Sequence, residues 1–463
     1  MLATVLAVRA FDAWRSPPLK LWHTEVPHEL EADDIDRADW ATWMKAEDAV
    51  FAEVRTRVTD KLPAEDRIAA NRLFEGSPMN AARLATDWNR TQVLEPVGKP
   101  RGAVVLLHGL TDSPYSLRHV AAHYRDRGFV AVTIRMPGHG TVPAGLTQVD
   151  WDDWMAATRL AVRHARVLAG EMTPLHVVGY SNGGALAMKY TLDALENPRL
   201  ARPDLVVLIS PMIGITSLAR FAGVLGWPAV FPPFAKAAWL DVSPEYNPIK
   251  YNSFPVNAAR QSSLLVRNLG AQLTRLSQRG LLEKMPPVLT FQSVLDSTVS
   301  TQAVVEDLHA LLPAHRSELV LFDRNRTSEA GALVRPGSDA VLASINNPVS
   351  NAFSITIVGA GPGGSVASTL RAGEASIDVP LSQAYPRDMY SLSHIALPFP
   401  MHDGLYGTQP DPLENFGVRL GTVAVRGERG SLVVSADTLM RATCNPFFDY
   451  LLQRIDATLP ASQ

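Results

Sequence analysis

A single cysteine, Cys444, among 463 residues excludes an intramolecular disulfide and any multi-cysteine metal site. Positive charge is not in surplus either: 43 Lys and Arg stand against 46 Asp and Glu, a formal net charge of -3, so gripping a nucleic acid is not the main task. No HExxH pattern offers a zinc site, and Asp33-Asp34 and Asp152-Asp153 read as solvated surface. No regular period marks a repeat array. A long apolar run is also missing. Met1 to Phe11 is strongly apolar, but Arg9 interrupts it and it is too short to span about 30 Å of hydrocarbon. It has no basic leader and no small-residue cleavage site. It therefore reads as a terminal helix packed on the protein or as the end of a peripheral membrane anchor, which leaves a cytoplasmic or a membrane-associated location open. What is abundant is apolar side chain, 46% of residues against 19% charged, enough for a substantial core and against disorder.

The pattern along the chain divides it. Residues 30–75 carry Trp40, Trp43, Met44, Val50, Phe51 and Val54 near a period of 3.6, which predicts two helices parted at Pro63 and laid over the main body. From Ala103 the rhythm changes. Short apolar strands at 103–107, 129–134, 175–178 and 205–209 alternate with helical stretches at 116–127, 151–168 and 185–195. This order predicts an α/β domain with a mostly parallel sheet and helices on both faces. Residues 211–285, with Trp227, Phe231, Pro232, Pro233, Phe234 and Trp239 followed by a helical stretch, read as an inserted cap that covers a cleft or completes the core. The core resumes at 287–291 and 319–322, with a returning strand at 353–358. A hairpin is expected around 417–435 and a last helix at 446–457. The expected organisation is an N-terminal helical extension (1–98), a core in two parts (99–210 and 286–400, the second with an insertion near 325–385), the cap (211–285) and a C-terminal extension packed on the core (401–463).

Chemistry concentrates at the ends of these strands. Gly179-Tyr180-Ser181-Asn182-Gly183 places a serine between an apolar strand and a helix-forming stretch, the context of a nucleophile elbow. Gly179 and Gly183 permit the sharp turn that exposes the hydroxyl above the sheet. The earlier strand ends in His108-Gly109-Leu110, the partner loop such an elbow needs. Backbone N–H groups of Leu110 and Asn182 are the candidate donors to a developing oxyanion.

A serine nucleophile needs a base, and the base an orienting acid, here in the chain order serine, acid, histidine. Asp296, after the 287–291 strand, is the favoured acid and Asp323 the runner-up. His394, in a late loop, is the favoured base. His402 competes with it, His309 and His315 are weaker, and His108 and His139 fit loop-shaping roles.

On these motifs, together with Pro137-Gly138-His139-Gly140-Thr141 and Trp151 with Trp154, the chain resembles an α/β-hydrolase of the carboxylesterase, monoacylglycerol lipase and lysophospholipase type over residues 100–400. The resemblance implies a Ser181–His394–Asp296 triad, an oxyanion hole from Leu110 and Asn182, and a cap before the strand leading to Asp296. It implies a serine hydrolase acting on a small-molecule ester, with the aromatic cap favouring an apolar acyl or aryl group and with no cofactor or metal required. A serine amidase or acyltransferase is the alternative within this chemistry. A noncatalytic α/β scaffold that binds a partner is the alternative outside it. The 98-position separation of Asp296 and His394 departs from the family pattern, and an insertion must return the chain.

A second motif competes. Gly359-Ala360-Gly361-Pro362-Gly363-Gly364 is a GxGxxG run after an apolar strand, with Asp378 19 residues beyond Gly359. Pro362 and the Gly/Ser-rich continuation oppose a cofactor-binding helix, so a glycine-rich structural loop is expected there.

Overall fold

The computed structural model describes residues 17–214, 232–313, 316–328, 353–361, 364–371, 374–423, 432 and 434–459. Met1 to Phe11, Trp227, Phe231, His315 and most of the 325–352 stretch therefore lie outside the described residues. Among those described, no helix is long and apolar enough to cross a membrane.

Twelve strands are described. β1 (Gln92–Leu94), β2 (Gly102–Leu107), β3 (Phe129–Ile134), β4 (Leu175–Tyr180) and β5 (Leu205–Ile209) precede a small pair, β6 (Trp239–Asp241) and β7 (Phe254–Pro255). β8 (Val288–Ser293), β9 (Ser317–Phe322), β10 (Ser354–Gly361), β11 (Gly364–Leu370) and β12 (Ile377–Leu381) follow. Ten form one sheet in the order β1-β3-β2-β4-β5-β8-β9-β10-β11-β12. Pairing is parallel from β3 through β10, with antiparallel β1 at one edge and β11 and β12 at the other.

The apolar runs explain the layers. Every residue of β2, GAVVLL, is buried, as a central strand covered on both faces requires. Ala103, Val105 and Leu107 join one core and Val104 and Leu106 the other, the period-two alternation of a pleated strand. Over the first face lie the helices α1 (Trp40–Arg57), α3 (Trp151–Ala169), α4 (Asn182–Glu196) and α5 (Val256–Gln278). Over the second lie α2 (Arg118–Asp126) and α6 (Phe448–Asp456). Each buried Leu, Val or Phe contributes about 1.5–3 kcal/mol of transfer free energy, so the two faces supply most of the stabilisation.

One expectation needs correction. Among the described residues of the N-terminal region only one long helix forms, α1; beyond Pro63 the chain makes short 3₁₀ turns, Ala64–Asp66 and Ala81–Arg83. On α1, Trp43, Glu47, Val50 and Val54 are the buried stripe. Glu47 is a charge inside that stripe because it accepts from Arg135 Nε at 3.0 Å and from the Thr91 hydroxyl at 2.8 Å. Of the hairpin expected around 417–435, Leu420–Thr422 is a 3₁₀ turn, while residues 424–431 and 433 lie outside the described residues. In the glycine-rich run, β10 turns back as antiparallel β11, with Gly361 opposite Gly364. No helix follows the glycines, so the loop lacks the helix N-terminus that holds a dinucleotide phosphate.

The described part of the 211–285 segment is led by α5. Its Leu265, Leu269, Leu273 and Leu276 enter the same core as α3 and α4.

Candidate active site

Ser181 sits between β4 and α4 with φ 55° and ψ -118°, a left-handed conformation that a non-glycine residue adopts only when its surroundings enforce it. Three backbone bonds enforce it. Ser181 N–H donates to Ile209 O at 3.0 Å, and Ser181 O accepts from Gly184 N at 3.0 Å and Met212 N at 2.9 Å. The glycines around it are a packing requirement. A Cβ at Gly183 would stand 1.9 Å from Leu107 O, and one at Gly179 would stand 2.3 Å from Gly183 O. Helix α4 can therefore start only this close to the ends of β2 and β4 if both positions carry no side chain.

The first loop reaches the same point. A Cβ on Gly109 would lie 3.2 Å from the Ser181 Cβ, so the backbone of this loop runs directly against the serine. His108 shapes it. Its Nδ1 faces Gly109 O at 2.9 Å, and its Nε2 accepts from Met136 N–H at 3.0 Å, which fixes a neutral imidazole with the proton on Nδ1. Burial pushes this histidine down to about 4. His139 is likewise buried, pairs with Pro137 O at 3.0 Å and packs edge-on against His108. Leu110 follows His108-Gly109 at the end of β2 and packs on the core, and Asn182 is the first residue of α4, where N–H groups have no partner within the helix.

On the other side of the elbow, His394 Nδ1 lies 2.8 Å from Asp296 Oδ2, with the two side chains 5% and 0% exposed. Asp296 Oδ1 accepts from Thr298 N–H at 2.8 Å and Val299 N–H at 3.0 Å. Burial would raise the Asp296 carboxyl, but the His394 charge and these bonds outweigh it and hold the group below the ordinary carboxylate range. The 98-residue separation is closed by local anchors on the His394 loop. Ser293 at the end of β8 donates its hydroxyl to Leu392 O at 2.8 Å, and Ser393 donates to Arg441 O at 2.7 Å. Tyr180 donates to His394 O at 3.3 Å. The Tyr180 and His394 rings lie 5.4 Å apart, which brings the imidazole beside the residue that precedes Ser181. Ser181 and His394 do not hydrogen-bond to one another in this arrangement.

The competing residues go elsewhere. Asp323 pairs with Arg326 at 2.8 Å and accepts from Arg324 N–H. His309 is buried against Thr290 Oγ1 at 2.9 Å, and His402 packs edge-on against His119.

Nothing in the sequence pattern marks three further residues at this site. Tyr180 is simply the variable position of GxSxG. Ser262, on α5, donates its hydroxyl to Asn182 Oδ1 at 2.6 Å and so ties the inserted segment to the start of α4. Asp112 is buried four residues after His108; it accepts from Ser113 N–H at 2.8 Å and from the Ser116 hydroxyl, and lies within electrostatic reach of His394. All three act through tertiary contacts, which a one-dimensional pattern does not carry. The set of His, Asp and Glu groups that could hold a metal ion is empty among the described residues.

A mostly parallel sheet, a serine at a positive-φ strand-to-helix turn and a hydrogen-bonded His–Asp pair beside it give the chain an α/β-hydrolase fold. Residues 98–315 match the family model described as Hydrolase_4, serine aminopeptidase, S33. A thermostable monoacylglycerol lipase from Bacillus sp. (strain H-257) is 28% identical over 184 residues, 39% of this chain and 66% of that protein. The match thus spans just under two thirds of the relative's length. Among solved structures, one from work on the metagenome-derived lipolytic enzymes LipS and LipT aligns with 22% identity and a TM-score of 0.40, covering 56% of this chain and 97% of the other. A soluble variant of monoglyceride lipase from Saccharomyces cerevisiae aligns with 16% identity and a TM-score of 0.37, covering 50% and 82%.

Proposed function

We propose that the protein is a serine carboxylic ester hydrolase that acts on an apolar acyl or aryl ester through a covalent acyl-enzyme. The observation that carries this reading is the Asp296–His394 pair at 2.8 Å, held by Tyr180 next to the positive-φ Ser181. His394 takes the Ser181 proton as the hydroxyl attacks the ester carbonyl. This needs closure of the Ser181–His394 hydrogen bond, which commonly tightens only with substrate bound. The Leu110 and Asn182 N–H groups receive the oxyanion. Protonated His394 then hands its proton to the leaving alcohol, and water activated by the same imidazole releases the acid and frees Ser181. Asp296 keeps the imidazole oriented with its proton on Nδ1.

The monoacylglycerol lipase relative supports an ester with a lipid-like acyl chain. The reading is tested with purified Ser181→Ala across esters of graded acyl length. The variant should fold and lose turnover on all of them, while the native enzyme should discriminate by chain length. Comparable turnover in the variant contradicts the assigned nucleophile, and a flat response to chain length contradicts the apolar acyl site. The serine aminopeptidase description of the family model favours one second reading, cleavage or transfer at an amide. Product analysis with matched esters and amides, with and without a competing alcohol or amine, separates the two.

A further inference from the structure

Helix α5 is fastened to the core along its first turns, before it reaches the elbow. Asn257 Nδ2 donates to Leu146 O at 3.1 Å and to Val149 O at 2.9 Å. Gln261 accepts from Trp151 N–H at 3.3 Å and donates to Asp150, at the start of α3. The next residue, Ser262, is 2% exposed and so is presented from a fixed helix. A serine inside a helix can return its hydroxyl to the carbonyl four residues back. Ser262 instead donates to Asn182 Oδ1 at 2.6 Å, with Met212 Sδ 2.9 Å from the same oxygen. One hydroxyl carries one proton, and the amide oxygen is the stronger acceptor of the two.

Both neighbours of this hydroxyl belong to the elbow. Asn182 carries a candidate oxyanion donor on its main chain, and Met212 N–H holds Ser181 O at 2.9 Å. The second bond to Ser181 O comes from Gly184 N–H at 3.0 Å. That N–H is also within the local repertoire of an unrestrained Asn182 side chain, because an asparagine oxygen readily accepts from the N–H two residues on. The other N–H groups of the first turn of α4 have no partner within the helix and are open to the same oxygen. A released Asn182 Oδ1 therefore competes with Ser181 O, and with the oxyanion of a substrate, for the donors of the elbow. The bond from Ser262 keeps that oxygen occupied on α5.

We propose that Ser262 is a positioning residue for the oxyanion hole: by holding Asn182 Oδ1 on α5, it keeps the N–H groups of the elbow available to the carbonyl oxygen of the substrate. This rests on the ester-hydrolase reading above and adds that the inserted segment controls turnover through one side chain. Ser262 acts through Asn182 and not on the ester.

The test is a double-mutant cycle on one neutral ester, with kcat and KM measured separately for the native chain, Ser262→Ala, Asn182→Ala and the double variant. Labelling of Ser181 by a neutral phosphonate is followed in parallel. Oxyanion stabilisation is realised only in the transition state, so Ser262→Ala should lower kcat by about 3- to 30-fold with KM unchanged, short of the loss of about 10²- to 10³-fold for a whole missing donor. Asn182→Ala removes the competing oxygen and keeps the main-chain N–H. Ser262→Ala should therefore cost nothing further in the Asn182→Ala background, and the double variant should turn over faster than Ser262→Ala alone. Single losses that multiply in the double variant make Ser262 a packing residue and overturn the proposal. So does a loss carried by KM, or an unaltered kcat in Ser262→Ala. If Ser262→Ala does not fold, Ser262→Cys decides: its weak S–H donor should give the same fall in kcat, again relieved by Asn182→Ala, and native kcat in Ser262→Cys overturns the proposal. A native protein that neither turns over the ester nor takes up phosphonate would instead defeat the ester-hydrolase reading itself.

Discussion

Tyr180 donates its hydroxyl to the main-chain oxygen of His394 at 3.3 Å, a bond between residues 214 positions apart. The residue just before the elbow serine thus carries the loop of the candidate base, so the serine and the imidazole are positioned by one strand end. Tyr180→Phe removes this bond and leaves a buried carbonyl unpaired. Turnover should fall by about 2- to 10-fold, the scale of one neutral hydrogen bond, with an unchanged circular dichroism spectrum. A variant as active as the native protein would show that the Tyr180 hydroxyl does not position His394.

Asp296 and Asp323 make opposite predictions. Asp296→Asn offers the imidazole an amide and disturbs its tautomer, and kcat should fall by about 10³- to 10⁴-fold, the order for a neutralised triad acid. Asp323→Asn breaks a pairing with Arg326 in a carboxylate that makes no bond to His394, and should leave kcat unaltered. Equal losses in the two variants would remove Asp296 from its assigned role.

Much of this site was legible in the one-dimensional pattern, for a physical reason. A fully apolar six-residue run such as GAVVLL bounded by turn residues suits a strand buried on both faces, and glycines at positions 179 and 183 flank the serine here where backbones approach closely. Chain order pointed to a late acid and a later histidine but left Asp323 and His402 open beside Asp296 and His394. What brings them together, the hydroxyls of Ser293 and Tyr180 on main-chain oxygens of the His394 loop, depends on residue types common in any strand. The second N-terminal helix was misread because its stretch carries apolar residues after Pro63 without enough regular spacing to bury a helical face. The buried Glu47 could not be read as core from its type, since its burial depends on Arg135, 88 positions away.

Two glycines should respond oppositely to alanine. Gly270 lies inside α5 with nothing within 4 Å of an added Cβ, so Gly270→Ala should stabilise the protein by about 0.4–1 kcal/mol through the unfolded chain and helix propensity. Gly183→Ala drives a methyl into Leu107 O and should abolish labelling of Ser181 and lower the melting temperature sharply. Urea unfolding checks both. A stable, active Gly183→Ala would mean that the elbow is looser than its backbone contacts imply.

Burial holds His108 and His176 down to about 4 and His309 down to about 3, from an ordinary 6.5. Their folded values are depressed, so the unfolded chain takes up protons first as the solution is acidified. Their contribution to stability is complete above pH 6.5 and is lost as the pH falls from 6.5 toward 4. The urea midpoint should decline across that interval, and His309→Gln should decline less steeply. A midpoint that rises on acidification would contradict the burial of these imidazoles.

The central claim is that Ser181 is a nucleophile served by the His394–Asp296 pair. A neutral alkyl phosphonate bearing a good leaving group, followed by peptide mapping, asks this directly. The account predicts one phosphonate per chain, on Ser181, with labelling lost in Ser181→Ala and strongly slowed in His394→Ala. Folded protein that takes up no phosphonate, or that takes it up on another serine, would contradict it.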